Sequence, residues 1–243
     1  MPRADLTLFA HVASRDESEL DLSQAAFLIA EAEYPELDIP HYVEQLDRLG
    51  ERARALLVDE NRAMEPPLRS ITRLLFEDVG FTGNDRAYYD PRNSFLNDVL
   101  DRRTGIPITL ALVILEVAKR AEVCAHGVGF PGHFLVRTDD RGGPVFFDPW
   151  NGKVCDRQRL RVLYGRATGE TRDPDPRLLE PLPKRLFLVR MLNNLRGIYT
   201  ATTDHDRLRS VLERIQILAP SDDIERQLHE LTPRPVRPPR LFN

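Results

Sequence analysis

A chain of 243 residues with a hydrophobic share of 42% is long enough for one good-sized core or two small ones and has the composition of a folding globular protein. Lysine and arginine total 34 against 38 acidic residues, so the net charge of −4 leaves no basic footprint, which argues against nucleic acid as the main partner and against global steering of acidic substrates. No segment offers some 20 uninterrupted apolar residues, which excludes a helical membrane span.

Met1 to Ala13 carries one arginine and a broken apolar run, too short and too polar for a signal segment, and the expected location is the cytoplasm. From Leu20 to Glu77 the spacing predicts helices. Ser23 caps a run through Glu33, Pro40 opens a second through about Val58, and Pro66 with Pro67 precede a third through Glu77. Gly80 to Asp90 is turn-rich and connects this helical region to the rest, with Tyr88 and Tyr89 expected to pack on the core.

Asn93 to Arg102 has helical spacing at Phe95, Leu96, Val99 and Leu100, and Thr104 with Gly105 stops it. Pro107 suits the first position of a further helix. From Ile108 to Ala118 that helix has almost no polar face, so it is expected to be buried on nearly all sides. Ala125 to Phe130, His133 to Thr138 and Val145 to Asp148 then read as two or three short antiparallel strands, separated by Pro131-Gly132 and by Asp139 to Pro144.

Helical spacing returns from Pro183. Leu186, Leu188, Val189, Leu192 and Leu195 fit one helix, and Leu208, Val211, Leu212, Ile215 and Leu218 a second that closes at Pro220. One such hairpin resembles a tetratricopeptide unit, although a solenoid needs about three stacked repeats. The tail from Thr232 to Asn243 alternates proline and arginine and is expected to be extended or disordered. The resulting division is 1–90 helical, 91–182 core, 183–231 hairpin and 232–243 tail.

The chemistry concentrates in the core. A thiol protease or transglutaminase needs a thiolate at the head of a buried helix, a histidine on a facing strand, and an acid or amide on the next strand to orient the imidazole. His133 and Asp148 supply the second and third of these. Three roles fit the pair: a hydrogen-bonded structural link, a remnant that holds a ligand, and a catalytic dyad.

The stretch Asn93 to Gly152, with NSFLNDVLDRRTGIPITLALVILEVAKRA, then GVGFPGHFLVR, then FFDPWNGK, resembles the bacterial SirB-type proteins of the transglutaminase-like superfamily. The helical lead-in and the hairpin agree with that family. The resemblance implies an α+β fold with a papain-like, transglutaminase-type core: a buried central helix against a small antiparallel sheet, flanked by the helical N-terminal region and the C-terminal helical hairpin. In transglutaminase cores the cysteine follows a glycine by two residues at the head of the central helix. By that register the position is Pro107, which has no nucleophile to offer.

Thr109 is an alternative nucleophile, with capping as its plainer role. Cys124 follows the far end of the central helix, about 22 Å from its head at 1.5 Å per residue. Cys155 lies in a loop beyond Asp148; both cysteines read first as buried free thiols, since a reducing compartment disfavours a disulfide. His126, His133 and Asp148 have no recognised metal spacing, and no metal or cofactor is expected. Asn93, Asn97 and Arg103 precede the central helix and are candidates to line a cleft with His133, with caps and surface hydrogen bonds as the other explanation.

The functional expectation is a catalytically degenerate protein that binds or regulates a protein or peptide partner through the cleft or the hairpin. The alternative is a hydrolase or acyl transferase in which His133 is the general base, Asp148 orients it, and water or an unexpected nucleophile attacks an amide or ester.

Overall fold

The computed structural model describes residues 6–58, 65–140 and 142–231. The proline- and arginine-rich tail expected at 232–243 lies outside them. The chain is an α+β protein whose centre is one buried helix.

The helical region comprises α1 (Thr7–Ala13), α2 (Leu22–Glu31), α3 (Ile39–Leu57) and α4 (Pro67–Arg73), the last continuing as a π-helical turn over Leu74–Val79. Asp21, rather than Ser23, caps α2: its carboxylate accepts the Gln24 amide, and the Ser23 hydroxyl donates to the same oxygen. Asp38 caps α3 with Pro40 just inside its start, as the spacing predicted. Two-residue strands β1 (Thr82–Gly83) and β2 (Thr104–Gly105) then pair in parallel, on either side of a single 3-10 turn at Pro91–Asn93 and helix α5 (Leu96–Arg102). Helix α5 stops because Arg103 turns left-handed, at φ 52°.

The central helix is α6 (Pro107–Arg120), against which α2, α3, α4 and α5 pack on one side and the sheet on the other. The sheet is an antiparallel meander in chain order: β3 (His126–Val128), β4 (Leu135–Asp140), β5 (Gly143–Asp148) and β6 (Lys153–Val154). His133 therefore stands in the turn before β4 rather than at the head of that strand.

Because successive side chains leave a strand on opposite faces, Val136 and Phe147 join the main core around α6 while Leu135 and Phe146 face the other way. That second face is covered by α7 (Arg157–Thr168), a helix not foreseen in the sequence, through Leu160, Leu163 and Tyr164. The layers are thus helices, sheet and a single outer helix.

The C-terminal hairpin is α8 (Lys184–Ala201) and α9 (His205–Leu218), followed by α10 (Asp222–Glu230), which packs on α9. Helix α8 lies on α2 and α9 on α1, so one apolar cluster runs unbroken from Phe9 through α6 to Ile224. Tyr88 and Tyr89 do not bury in that cluster. They are 41% and 79% exposed, and Tyr88 instead leans on Trp150 with ring centroids 6.2 Å apart.

Candidate functional site

The β4–β5 register sets Val136 opposite Phe147, which carries Asp148 toward the turn that holds His133. His133 Nε2 lies 2.7 Å from Asp148 Oδ1, and the two side chains are 14% and 2% exposed. Burial alone drives the Asp148 carboxyl upward, but hydrogen bonds from His133, the Trp150 amide and Arg159 more than offset it and hold the group below its ordinary range. An ionised carboxylate can only accept, so Nε2 carries the proton and Asp148 fixes the tautomer. Nδ1 has no partner among the described residues.

The carboxylate's remaining capacity is filled locally. Oδ1 also accepts the Trp150 amide at 3.0 Å, and Oδ2 accepts Arg159 Nη2 at 3.2 Å from α7. The turn itself is held from α8, where Arg190 donates to the carbonyls of Phe130 and His133 while its guanidinium lies 5.5 Å from the Phe134 ring centroid. Gly132 in this turn has φ +63°, and a Cβ there would meet the Ala167 methyl at 2.8 Å, so α7 abuts the turn too closely for any larger residue.

His133 opens onto a cavity of about 450 Å³. Pro107 at the head of α6 forms one part of its wall, Tyr88 and Trp150 a second, and Leu163, Ala167, Arg159 and Arg166 of α7 a third. Pro107 and His133 thus line the same cavity. No thiol or aliphatic hydroxyl lines this cavity among the described residues.

The other candidate nucleophiles are engaged or remote from it. Thr109 is fully buried, donating to the Asn93 carbonyl at 2.6 Å and accepting from the Ile106 amide, so it caps the helix. Cys155 is buried behind the sheet against α7, and burial with the neighbouring Asp148 charge pushes its thiol up to about 12. Cys124 is exposed rather than buried, with Sγ 3.4 Å from His126 Nε2. No group of three or more His, Cys, Asp or Glu side chains is placed to hold a metal among the described residues.

Asn93, Asn97 and Arg103 surround the base of α6 without lining the His133 cavity. Asn93 is fully buried. Its amide donates to the carbonyls of Ala87 and Tyr88, and its oxygen accepts from Asn84 and Arg102, so it secures the loop on which Tyr88 stands. Asn97 is buried with Oδ1 unpartnered among the described residues, and Arg103 is exposed, donating to the Val79 carbonyl. Arg159, Arg166, Arg190 and the Tyr88–Trp150 wall were not foreseen. The one available signal was the sole tryptophan, two residues after Asp148.

Residues 40–193 match the family described as the transglutaminase-like superfamily. The chain belongs to that superfamily. It is 40% identical over 222 residues to a UPF0162 protein of Xylella fastidiosa (strain 9a5c), a match that covers 89% of this chain and 78% of the relative. A UPF0162 protein of Vibrio cholerae is 27% identical over 188 residues, 77% of this chain and 69% of its own. F-box only protein 21 of Mus musculus is 38% identical over 90 residues, 37% of this chain and 14% of the mouse protein. No solved structure matches the chain. The head of α6 presents the pyrrolidine ring of Pro107 to the cavity. No described helix is long and apolar enough to cross a membrane.

Proposed function

We propose that this is a catalytically degenerate transglutaminase-like protein of the SirB type, acting in the cytoplasm to bind or regulate a protein or peptide partner through the cleft beside His133. The observation that carries this reading is that Pro107 and His133 line one cavity that no thiol among the described residues lines. A histidine without a nucleophile still binds: its ring is oriented by Asp148, and the aromatic wall of Tyr88 and Trp150 supplies contact area. The α8–α9 hairpin, read as tetratricopeptide-like, is a second surface for the partner.

The intact dyad favours one other reading. A water molecule activated at Nδ1 of His133 would make the protein a hydrolase, and a second acceptor in its place an acyl transferase, acting on an amide or ester. Purified protein and its His133→Ala variant, compared on peptide esters, peptide amides and glutamine donors with an amine acceptor, separate the two. The expected outcome is no turnover by either protein. Turnover by the parent, lost in His133→Ala while circular dichroism is unchanged, would replace the binding reading with the enzymatic one.

A further inference from the structure

We propose that the cleft beside His133 is a carboxylate site that takes the free carboxyl end of a peptide whose last residue is apolar. The inference rests on the binding reading above and gives the ligand its chemistry.

The argument begins with charge. His133, Arg159 and Arg166 line the cavity, and no carboxylate among the described residues does. Asp148, just behind, is 2% exposed and already accepts from three donors, so it has little left to offer the others. Arg166 forms no ion pair with any described residue. The head of α6 adds the positive end of a 14-residue helix with no acidic side chain in its first turn. Asp148 already balances Arg159, so the unbalanced positive charge is that of Arg166 and the helix end, with the free Nδ1 of His133 beside them. In a working thiol enzyme a thiolate would balance the imidazole from the helix head. Pro107 supplies no such anion, and a ligand's carboxylate can occupy the place instead.

Shape then selects the kind of carboxylate. Tyr88 and Trp150 line the cavity together with the apolar side chains of Leu163 and Ala167. About 450 Å³ accommodates a ligand on the scale of one or two residues. A C-terminal residue carries its carboxylate and its side chain on the same carbon, so a single residue meets both the cations and the aromatic wall. An internal glutamate or aspartate puts its carboxylate at the tip of its own side chain and leaves the wall to a neighbour.

Trp150 is the only tryptophan, so its fluorescence reports on this cleft alone. The full chain is titrated with acetyl-Gly-Gly-Phe bearing a free carboxylate, with its C-terminal amide, and with acetyl-Gly-Glu-Gly-amide. The free acid is expected to give a saturable change, and the amide to bind at least about tenfold more weakly, the usual scale for losing one charge-assisted pair. Arg166→Ala, at an exposed position, should weaken the acid by about the same factor and leave the amide unmoved, with partial recovery in Arg166→Lys.

Equal binding of acid and amide overturns the inference and leaves the binding reading standing. Preference for the glutamate peptide overturns the C-terminal assignment, and no saturable change up to about 10 mM overturns the site itself. Hydrolysis of a peptide ester that disappears in His133→Ala removes the binding-only reading, while the acid-to-amide ratio still reports the carboxylate preference.

Discussion

The two ends of α6 handle charge in opposite ways. At its C-terminal end every cation meets an anion or a backbone oxygen. Arg120 bonds Glu116 at 2.6 Å and Asp47 at 2.7 Å, Lys119 bonds Asp21 at 2.9 Å, and Arg54 donates to the Arg120 carbonyl that ends the helix. At the N-terminal end His133 and Arg159 share one buried carboxylate, and Arg166 faces the cavity with no ion pair among the described residues. The first end spends its charge on tying α2 and α3 to the core. The second leaves one cation, Arg166, without an ion pair among the described residues, beside the cavity for which we propose a carboxylate ligand.

Breaking the head of the helix should show the largest effect. Asp148→Ala removes a buried carboxylate that accepts from three donors, one of them the partly exposed Arg159, and we expect a loss of about 3 kcal/mol in urea denaturation. The tail has more redundancy, because Arg120 retains Asp47 when Glu116 is cut back. Glu116→Ala should therefore cost less, about 2 kcal/mol by the same measurement. Thr109→Val keeps shape but removes the cap and the bond to the Asn93 carbonyl, with an expected loss of about 1 kcal/mol. Glu44→Ala breaks the exposed Arg48–Glu44 pair, 2.7 Å apart on α3, and should change stability by less than about 0.5 kcal/mol.

Acid titration sharpens the comparison without a mutation. Asp21, at the tail end, faces an upward push from burial, but the Gln24 amide, Lys119 and Ser23 bring its carboxyl down to about 2; Asp148 at the head is likewise held low. Groups whose folded value is depressed add stability above their unfolded value and lose it as pH falls through the folded one. Urea midpoints measured from pH 7 to pH 2 should thus be flat down to the ordinary carboxylate range and then fall. Asp21→Asn and Asp148→Asn should each make that fall shallower, and equal slopes in parent and variants would show that neither carboxylate contributes.

How far the sequence disclosed this arrangement differs between the same two ends. The almost wholly apolar run from Ile108 to Ala118 made the burial of α6 legible, and the β-rich and aromatic runs separated by turn residues made the hairpin legible, so His133 and Asp148 could be paired from the sequence. Helix α7 was hidden because its apolar face is only Leu160, Leu163 and Tyr164 among arginines, a pattern that needs the back of a sheet to make sense of it. With α7 unseen, the third donor to Asp148 and one wall of the cavity were unseen too. Asn93 was recognised as polar and close to the helix head, but its task is set by the loop carbonyls of Ala87 and Tyr88, partners brought to it only by the fold.

The aromatic wall has a mechanical side. The Gly83 amide donates to the Trp150 carbonyl, the Asn84 amide to that of Gly105, and a Cβ on Gly83 would stand 2.3 Å from the indole. The indole is thus seated on bare backbone, and that backbone is laced in parallel to the residues leading directly into α6. Wall and helix head are thus joined through main-chain hydrogen bonds, so the spacing between Trp150 and the start of α6 is set by the backbone rather than by side chains that a substitution could trim.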